Sequence, residues 1–254
     1  MLKIQYCSDL HLEFPENETF LRKHPIKPVG DILIMAGDII PFNIIDKFDV
    51  FFDELSEKYE QVYWIPGNHE YYYADIQKRT GSFCEEIRKN VSLLNNYVLH
   101  FQSTKLVFST LWTSISEHNQ WQIAQNLSDF RVIKNGTNNF TPYDYNCLHN
   151  ESLLFIKDAI TDATDSKSIV VATHHVPTFL NYPEKYKGDL LNEAFASELS
   201  DLIESNSVDY WIFGHHHSNI APFRIGNTQL LTNQLGYIKY GENIQFSSSR
   251  IITL

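Results

Sequence analysis

The feature that most constrains the fold of this chain is a set of five short apolar segments, each of which ends in Asp, Asn or His. The polar motifs that follow these segments are Asp9-x-His11, Gly37-Asp38, Gly67-Asn68-His69-Glu70, His174-His175 and Gly214-His215-His216-His217. Ligands of open α/β sheets bind outside the carboxyl ends of the strands. We therefore expect five segments that are far apart in sequence to converge on one site.

The wider apolar pattern predicts an α/β chain with strands at both ends. Strands are predicted at residues 2–7, 31–36, 61–65, 97–101, 105–110, 168–173 and 208–213, with a hairpin at 220–225 and 229–233 and one or two strands in 236–254. Helices are predicted at 46–60, 75–90, 147–163 and 192–205. We interpret residues 1–254 as a single domain in which the irregular segment 112–146 is a candidate lid or part of the substrate site.

The donor types of the five motifs agree with one another. Carboxylates, imidazoles and one amide oxygen form a mixed oxygen and nitrogen set that suits Mn, Fe, Zn, Co or Ni, with Mn or Fe favoured. In extended backbone, alternate side chains point the same way, so both members of Asp9-x-His11 and of His215-x-His217 are expected to reach one pocket. The residues between them, Leu10 and His216, are expected to point away. Any one motif alone is also compatible with a solvated loop or a hydrogen-bonded histidine pair.

Taken together and in this order, the motifs resemble those of the calcineurin-like metallophosphoesterase superfamily, and they span residues 9–217. The resemblance implies a four-layer αββα sandwich of two mixed sheets flanked by helices, with two divalent metal ions at the edge of the sheets. It also implies the metal ligands: Asp38 bridging both ions, Asp9, His11 and His217 on one, and Asn68, His174 and His215 on the other. His69 is implied to donate a proton or to contact a phosphoryl oxygen, and His175 remains an alternative to His174.

The implied activity is hydrolysis of a small phosphate ester by a hydroxide that two metals activate, with a phosphodiester or nucleotide-type substrate favoured. Pro41 follows Gly37-Asp38 where purple acid phosphatases carry a tyrosine ligand, and the Asp-Arg-Gly of protein phosphatases is absent. The group that orients His69 is therefore not identified. Three alternatives stay open: a phosphomonoesterase, a nuclease with the same site, and a non-catalytic binding or scaffold member of the fold.

Substrate contacts are expected from the irregular segment and from the tyrosines after His69. The candidates are Trp112, Arg131 and Tyr72, with His118, Trp121, Asp129, Phe130 and Tyr143 as further wall residues. Aromatic rings stack on bases, and an arginine binds a second phosphate. The alternative interpretation is that the tryptophans belong to the core and that Arg131 makes a structural pair.

Composition narrows the partners and the compartment. The chain has 31 acidic and 20 basic residues and a formal net charge of −11, which makes long nucleic acid an unfavourable partner. Its 3 cysteines form neither a disulfide framework nor a Cys-x-x-Cys pair, and no segment resembles a signal peptide or a membrane span. We expect a cytoplasmic protein that acts on a small phosphorylated substrate. Its oligomeric state is open.

Overall fold

A computed structural model describes residues 1–162 and 166–254 of the chain. The described residues form the strands β1 (Lys3–Cys7), β2 (Ile32–Ala36), β3 (Gln61–Ile65), β4 (Phe83–Arg88), β5 (Val91–Asn95), β6 (Tyr97–Phe101), β7 (Thr104–Ser109), β8 (Lys134–Asn135), β9 (Asn138–Asn139), β10 (Ser168–Thr173), β11 (Tyr210–Phe213), β12 (Phe223–Ile225), β13 (Thr228–Thr232) and β14 (Ile251–Thr253). The helices are α1 (Pro15–Lys23), α2 (Asp49–Lys58), α3 (Gln120–Asn126), α4 (Asp129–Val132), α5 (Pro142–Thr161) and α6 (Ser200–Glu204). Short 3₁₀ turns lie between them. No helix in the described ranges has both the length and the apolar character needed to cross a membrane.

The larger strands form two mixed sheets of six strands each. One sheet has the order β14-β1-β2-β3-β5-β4 and the other has the order β12-β13-β11-β10-β7-β6. The four inner strands of each sheet run parallel, and both edge strands pair antiparallel to their neighbours. The carboxyl ends of the inner strands of one sheet therefore emerge together.

Three hydrophobic clusters fix the layers of the fold. Alternate residues of β2 separate cleanly: Ile34 and Ala36 pack against the other sheet, whereas Leu33 and Met35 pack against helices and loops on the outside. A third cluster joins the outer face of the second sheet to α5 and α6, through Ile156 and Ile203 among others. Because both faces of the sheets are covered, the inner strands are apolar on both sides. The predicted fold class, two mixed sheets flanked by helices, is confirmed.

The helix predicted over residues 75–90 is wrong. A 3₁₀ turn at Ile76–Lys78 is followed by strand β4 (Phe83–Arg88), which pairs antiparallel with β5 (Val91–Asn95). The spacing of Phe83 and Ile87 fits a helix, but residues four apart also lie on one face of a strand. Strand β5, which the sequence pattern did not predict, has Val91 and Leu93 fully buried. Pairing with β5 stabilises residues 83–88 as a strand rather than a helix.

The helix predicted over residues 192–205 is also largely wrong. The structure has a 3₁₀ turn at Leu190–Ala194 and only five helical residues in α6 (Ser200–Glu204). Between them the chain is extended, because it pairs with Val176 through two backbone hydrogen bonds. The amide of Val176 donates to Phe195 O at 3.1 Å, and the amide of Ser197 donates to Val176 O at 2.9 Å. Tertiary pairing with the exit of β10 overrides local helix propensity here.

Other boundaries move by smaller amounts. The helix predicted at 46–60 begins as a 3₁₀ turn and is α-helical only in α2 (Asp49–Lys58). The helix predicted at 147–163 starts earlier, at Pro142, behind a capping box formed by Thr141 and Asp144, and residue 163 lies outside the described residues. Helix α1 was not predicted, and the tail forms one strand, β14, after two 3₁₀ turns.

Candidate metal centre

Backbone hydrogen bonds between loops bring the five motifs to one edge of the two sheets. The amide of Asp9 donates to Gly37 O at 2.9 Å, and the amide of His11 donates to Asp38 O at 3.0 Å. In the second sheet, Gly214 donates to His174 O at 2.9 Å. A bond across the sheets, from the amide of His215 to Asp9 Oδ1 at 3.0 Å, joins the two halves. The motifs thus converge because their strands end side by side.

Five of the predicted ligands have left-handed backbone. The φ angles are +55° at Asp9, +47° at His11, +56° at Asp38, +78° at His215 and +48° at His217. The extended backbone that we expected for the two alternating pairs is therefore wrong. Left-handed backbone in a residue with a side chain costs free energy and is concentrated at functional sites. The tight loops are what aim these side chains inward.

The residues between the pairs behave differently from each other. Leu10 packs into the outer core of the first sheet, as expected. His216 is bonded to Gln234, with Gln234 Nε2 2.9 Å from His216 Nδ1, but its ring also borders the site cavity described below. The expectation that His216 points away is wrong in that respect.

Asp9, His11, Asp38 and His217 form the first cluster. One donor atom from each lies within 4.8 Å of the donor atoms of the others. His11 Nε2 and His217 Nε2 are 2.9 Å apart, and His217 Nε2 is 3.3 Å from Asp9 Oδ1. All four residues are buried or nearly so.

Acidic side chains set the tautomers of the two imidazoles in this cluster. His11 Nδ1 lies 3.1 Å from Glu13 Oε1, and His217 Nδ1 lies 2.8 Å from Glu242 Oε2. When each Nδ1–H donates to its carboxylate, each Nε2 carries a lone pair, and the two lone pairs face each other. Such a pair needs either a shared proton or a cation between its nitrogens. A divalent cation fits this arrangement, and a carboxylate behind each imidazole is the usual support for a metal-binding histidine.

Asp38, His174 and His215 form the second cluster. His174 Nε2 lies 3.0 Å from His215 Nδ1 and 3.4 Å from Asp38 Oδ1. His174 Nδ1 lies 2.9 Å from Ala36 O, which directs its Nε2 lone pair into the site. Asn68 Nδ2 donates to Asp129 Oδ1 at 3.0 Å, whereas Asn68 Oδ1 is buried without a hydrogen-bond partner. A buried oxygen without a partner is costly, and a cation would satisfy it.

His175 does not point into either cluster. Its Nδ1 lies 3.1 Å from Thr110 O, and its Nε2 lies 3.1 Å from Tyr145 OH, so both ring nitrogens already have partners. Burial and the neighbouring His174 lower the pKa of His175 to about 3, so the ring is neutral. The geometry favours His174 over this alternative.

Two glycines permit the close approach of loop backbone to these side chains. A Cβ added at Gly214 would lie 2.6 Å from Asp9 Oδ2. A Cβ at Gly67 would overlap the carboxylate of Asp38 and lie 2.6 Å from His174 Nε2. Only glycine fits at these two positions without displacing a candidate ligand.

Glu13 is the orienting group for His69 that the sequence analysis did not identify. Glu13 Oε1 lies 2.9 Å from His69 Nδ1, in addition to its contact with His11. His69 Nε2 lies 3.3 Å from the hydroxyl of Tyr237, and the His69 ring stacks on Tyr72 at a centroid distance of 4.0 Å. The signal that would have found Glu13 is its position two residues after His11.

Glu70, the last residue of the motif Gly67-Asn68-His69-Glu70, has a role that the sequence does not indicate. Its two carboxylate oxygens accept from the amides of Asp38, Ile39 and Gly67 and from the indole of Trp64, at 2.7 to 3.0 Å. Burial and the nearby Asp38 raise the pKa of Glu70 to about 7, while its backbone donors and His174 oppose that shift. Glu70 therefore binds the loops after β2 and β3 to each other.

Charge complementarity stabilises the ionised carboxylates. Burial alone would raise the pKa of Asp38, but His174, His69 and His11 hold it well below its usual range. Conversely, burial would lower the pKa of His217, but Asp9 and Glu242 raise it to about 10. The pKa of His174 is raised to about 9, against burial, mainly by Asp38. The pKa values of both imidazoles are raised by negative charge that a bound cation would otherwise offset.

A cavity of about 310 Å³ opens onto the two clusters. It is lined by Asp38, Asn68, His69, Tyr72, Asn126, Leu127, Ser128, Tyr182, Tyr186, Asp189, Leu191, Asn192, Phe195, His215, His216, His217, Tyr237 and Glu242. Tyr72 thus borders the cavity, and its role as a substrate contact stays a prediction. The segment 182–195, which carries none of the predicted site residues, supplies much of the far wall.

The structure does not bring Trp112 or Arg131 to the cavity. Trp112 is only 2% exposed and packs against Tyr145 and Phe140, because it follows a buried strand into the core. Arg131 donates to Gln125 O at 2.8 Å and to Ser128 Oγ at 3.2 Å. Both predicted substrate contacts are corrected to structural roles.

The other expected wall residues of segment 112–146 are also displaced from the cavity. Asp129 is buried and bonds Asn68, Phe130 packs in the core, and Trp121 and Tyr143 are exposed to solvent. From this segment only residues 126–128 line the cavity. Short helices α3 and α4 give the segment more regular structure than its composition indicates.

Comparison with known proteins places this geometry in a family. A family model described as calcineurin-like phosphoesterase matches residues 2–219. An uncharacterized protein, L509, of Acanthamoeba polyphaga mimivirus is 31% identical over 265 residues, which cover 92% of this chain and 91% of that protein.

Two solved structures share the fold. A phosphopantetheinyl hydrolase from Mycobacterium tuberculosis matches with a TM-score of 0.69 and 14% identity, over 98% of this chain and 95% of that chain. A dimetal phosphatase from Danio rerio matches with a TM-score of 0.50 and 15% identity, over 92% of this chain and 87% of that chain. The extent of the family match shows that this chain belongs to the calcineurin-like phosphoesterases, hydrolases of phosphate ester bonds.

Proposed function

We propose that this protein is a dinuclear metal-dependent phosphoesterase that hydrolyses a small phosphodiester. The observation that carries the proposal is the carboxylate of Asp38, which has one oxygen in each cluster. Asp38 Oδ2 lies 3.7 Å from His11 Nε2, and Asp38 Oδ1 lies 3.4 Å from His174 Nε2. A carboxylate in this position is suited to bridge two cations a few ångströms apart.

The remaining ligands divide between the two sides of Asp38. Asp9, His11 and His217 would hold one cation, and Asn68, His174 and His215 would hold the other. Oxygen and nitrogen donors without thiolate favour Mn or Fe among the divalent ions. The pair of divalent ions would lower the pKa of water towards neutrality and offset the negative charge of the transferring phosphoryl group.

The proposed role of His69 is to act on the ester itself. Its Nδ1 is held by Glu13, and its ring is fixed by stacking on Tyr72, so Nε2 faces the cavity beside the hydroxyl of Tyr237. Coulombic interaction with Asp38 and the bond to Glu13 raise the pKa of His69 in spite of its burial. A protonated His69 would donate to the leaving oxygen, a role worth about 10²–10⁴-fold in rate.

The charge of the cavity favours a diester over a monoester. Within the described residues, no lysine or arginine lines the cavity, whereas Asp38, Asp189 and Glu242 do. A phosphomonoester carries a charge of about −1.5 to −2 at pH 7, and a diester carries a single negative charge. A monoester would therefore depend on the metal ions and on protonated His69 for its additional charge.

The compartment is also a proposal. All three cysteines, Cys7, Cys84 and Cys147, are free thiols, and Cys84 is exposed. Free thiols of this kind are typical of a reducing environment. We accordingly propose a cytoplasmic protein that acts on small phosphorylated molecules.

The test is hydrolysis of bis-p-nitrophenyl phosphate and of p-nitrophenyl phosphate by chelator-treated protein resupplied with Mn²⁺, Fe²⁺, Zn²⁺, Co²⁺ or Ni²⁺. We expect metal-dependent turnover, with a higher kcat/KM on the diester. Asp38→Asn serves as the inactive control. A higher kcat/KM on the monoester would assign the protein as a phosphomonoesterase. Folded protein that hydrolyses neither ester with any of these metals would contradict the proposal.

A further inference from the structure

The far wall of the cavity differs in chemistry from the side that holds the metal ligands. It is built mainly by the segment 182–195, which follows β10, and it presents aromatic and amide side chains. Its residues are Tyr182, Tyr186, Asp189, Leu191, Asn192 and Phe195. We call these six residues the aromatic wall. Nothing in the proposed hydrolytic chemistry requires aromatic and amide side chains here. We therefore relate the composition of this wall to the part of the substrate that does not react.

The aromatic wall is held in place by its own contacts. Phe195 stacks on His215 at a centroid distance of 4.4 Å and an angle of 29°. Tyr182 packs edge-on against His216 at 5.8 Å and also contacts Tyr186 at 6.3 Å. Asn192 Nδ2 donates to Tyr186 O at 2.6 Å, which closes the segment on itself. The wall is thus joined directly to two histidines of the site.

The aromatic wall carries negative charge and no lining cation. Asp189 is exposed at the mouth, where its side chain accepts from the amide of Leu191 at 2.9 Å. The segment has two lysines: Lys185 lies over the ring of Tyr186 with its Nζ 4.5 Å from the centroid, and Lys187 pairs with Glu184 Oε2 at 2.6 Å. Neither lysine lines the cavity. A phosphate bound by a protein is normally met by arginine, lysine or a cluster of amide donors. The wall offers a second phosphate no arginine or lysine, and the amide of its one asparagine, Asn192, already donates to Tyr186 O.

A neighbouring groove does contain a lysine, but it is a different surface. It is lined by Phe14, Glu16, Asn17, Tyr237, Lys239 and Tyr240, and Tyr237 is the single residue it shares with the cavity. Arg131, the residue expected to bind a second phosphate, also lies elsewhere, in a separate surface pocket. Among the described residues, the cavity next to the candidate metal ligands therefore has no lining arginine or lysine for a second phosphate.

We propose that the aromatic wall selects esters whose remaining group is uncharged and has a flat or apolar face, such as a nucleoside or aryl group, and that it excludes esters carrying a further phosphate. This inference rests on the proposed function, since it takes the reacting phosphate to lie at the two clusters. Stacking on tyrosine and phenylalanine supplies attraction for a neutral ring. Repulsion by Asp189 and the absence of a lining cation act against an added anion.

The kinetic test uses two substrates with the same leaving group. Thymidine 5′-(p-nitrophenyl phosphate) has a neutral nucleoside, and its 3′-phosphorylated derivative adds one phosphate. We expect kcat/KM to be at least about tenfold higher for the first, a difference of about 1.4 kcal/mol or more. Equal values for the two substrates, or a preference for the 3′-phosphorylated one, would overturn the inference.

Variants of Asp189 connect the selectivity to the wall. Asp189→Asn keeps an acceptor for the amide of Leu191 and removes the charge, and Asp189→Lys reverses the charge. We expect the ratio of kcat/KM between the two substrates to fall about threefold or more in Asp189→Asn and further in Asp189→Lys. Glu57→Lys, an exposed change on α2 away from the cavity, makes the same charge reversal and is expected to leave the ratio unchanged. A ratio that is unchanged in both Asp189 variants would contradict the role of the wall.

A binding measurement separates failure of this inference from failure of the proposed function. Calorimetric dissociation constants are compared for thymidine 5′-monophosphate and thymidine 3′,5′-bisphosphate with Mn²⁺-loaded protein. Tighter binding of the monophosphate would support the inference even if no ester were hydrolysed. Equal or tighter binding of the bisphosphate would overturn the inference, whether or not the protein is an active phosphoesterase. In that case, loss of bisphosphate binding in Lys239→Ala would locate the added phosphate in the neighbouring groove.

Discussion

Single residues at this site serve both clusters at once, and Asp38 is the clearest case. Its side chain faces His11 on one side and His174 on the other, and its Oδ1 also accepts from the amide of His69 at 2.9 Å. Its sequence context, an aspartate after a glycine at the end of a buried strand, identifies it as a candidate ligand. The shared position becomes visible only when the two sheets are placed together.

Asp38→Asn is expected to be more damaging than His69→Ala. The first change removes the negative charge that both proposed cations share, so bound metal and activity should both fall. The second should lower kcat by about 10²–10⁴-fold and leave the metal content near native, because the proposed role of His69 is to donate a proton and not to hold a metal. Elemental analysis and steady-state kinetics on bis-p-nitrophenyl phosphate measure both quantities. Native metal content and activity in Asp38→Asn would refute the bridging role.

Glu13 supports two imidazoles through one carboxylate oxygen. Burial would raise the pKa of Glu13, but the two histidines that it bonds, His11 and His69, lower it to about 2, so the carboxylate stays ionised. We expect Glu13→Gln to lower metal affinity or kcat by about 10- to 100-fold, the usual effect of removing an acidic partner of a metal-binding histidine.

The control for this prediction is Glu16→Gln, an exposed change in the first turn of α1. It should leave metal affinity, kcat and KM at native values. The predicted positioning role also requires that Glu13→Asp, which keeps the charge, recover part of the lost activity. If Glu13→Gln binds metal and turns over substrate as the native protein does, Glu13 does not position the two rings.

At the scale of secondary-structure elements, the site depends on how neighbouring strand ends are fastened together. Strands β2 and β3 are parallel neighbours, and the loops that leave them carry Asp38 and Asn68. Glu70 accepts hydrogen bonds from both loops and from Trp64 in β3. Glu70 therefore joins the two loops, and such support keeps two candidate ligands in register.

Glu70→Gln should weaken this connection between the loops. The amide of glutamine replaces one acceptor oxygen with a donor, so two of the buried N–H groups now bonded to Glu70 lose their partner. A buried group without a partner costs about 1–3 kcal/mol, and we expect the free energy of unfolding to fall by about that amount. Urea denaturation monitored by tryptophan fluorescence measures it. The matched change Glu86→Gln, at an exposed position of β4, should be neutral, and an equally stable Glu70→Gln would show that these bonds do not hold the loops.

Secondary-structure elements were predictable where the apolar pattern was long or the strand was covered on both faces. They were unpredictable where a partner distant in sequence decided the conformation. The apolar run of β2 indicates an inner strand that is covered on both faces. In the structure all five of its residues are buried. Strand β4 and the extended piece around Ala196 instead take their conformation from β5 and from Val176. Periodicity within one segment carries no information on such partners.

At the scale of the whole molecule, opposite titrations define a pH optimum for the stability of the metal-free protein. His217 and His174 have pKa values raised to about 10 and about 9, so their contribution is complete below pH 6.5 and is lost as the pH rises through those values. His175 and His216 have pKa values lowered by burial to about 3 and about 4, so their contribution is present above pH 6.5 and is lost as the pH falls. Stability should therefore be greatest at about pH 6.5.

Calorimetry of chelator-treated protein between pH 4 and pH 10 measures this dependence. The Mn²⁺-loaded protein is the control: it should keep its Tm between pH 7 and pH 9, because the metal requires neutral imidazoles and replaces the protons that the acidic groups otherwise attract. Its Tm should also exceed that of the chelated protein, by mass action. A metal-free Tm that rises steadily from pH 6.5 to pH 10 would contradict the assigned histidine interactions.

The sequence by itself determined the chemistry of the site and the class of the fold. The seven expected ligands lie at strand ends, and strand ends of parallel sheets must meet, so their convergence follows from local pattern and elementary topology. The tertiary structure decided the rest: that Glu13 and Glu242 support the imidazoles, that Trp112 and Arg131 are structural, and that residues 182–195 form the far wall. These are contacts between segments remote in sequence, and their partners are set by how the two sheets pack, which no single segment encodes.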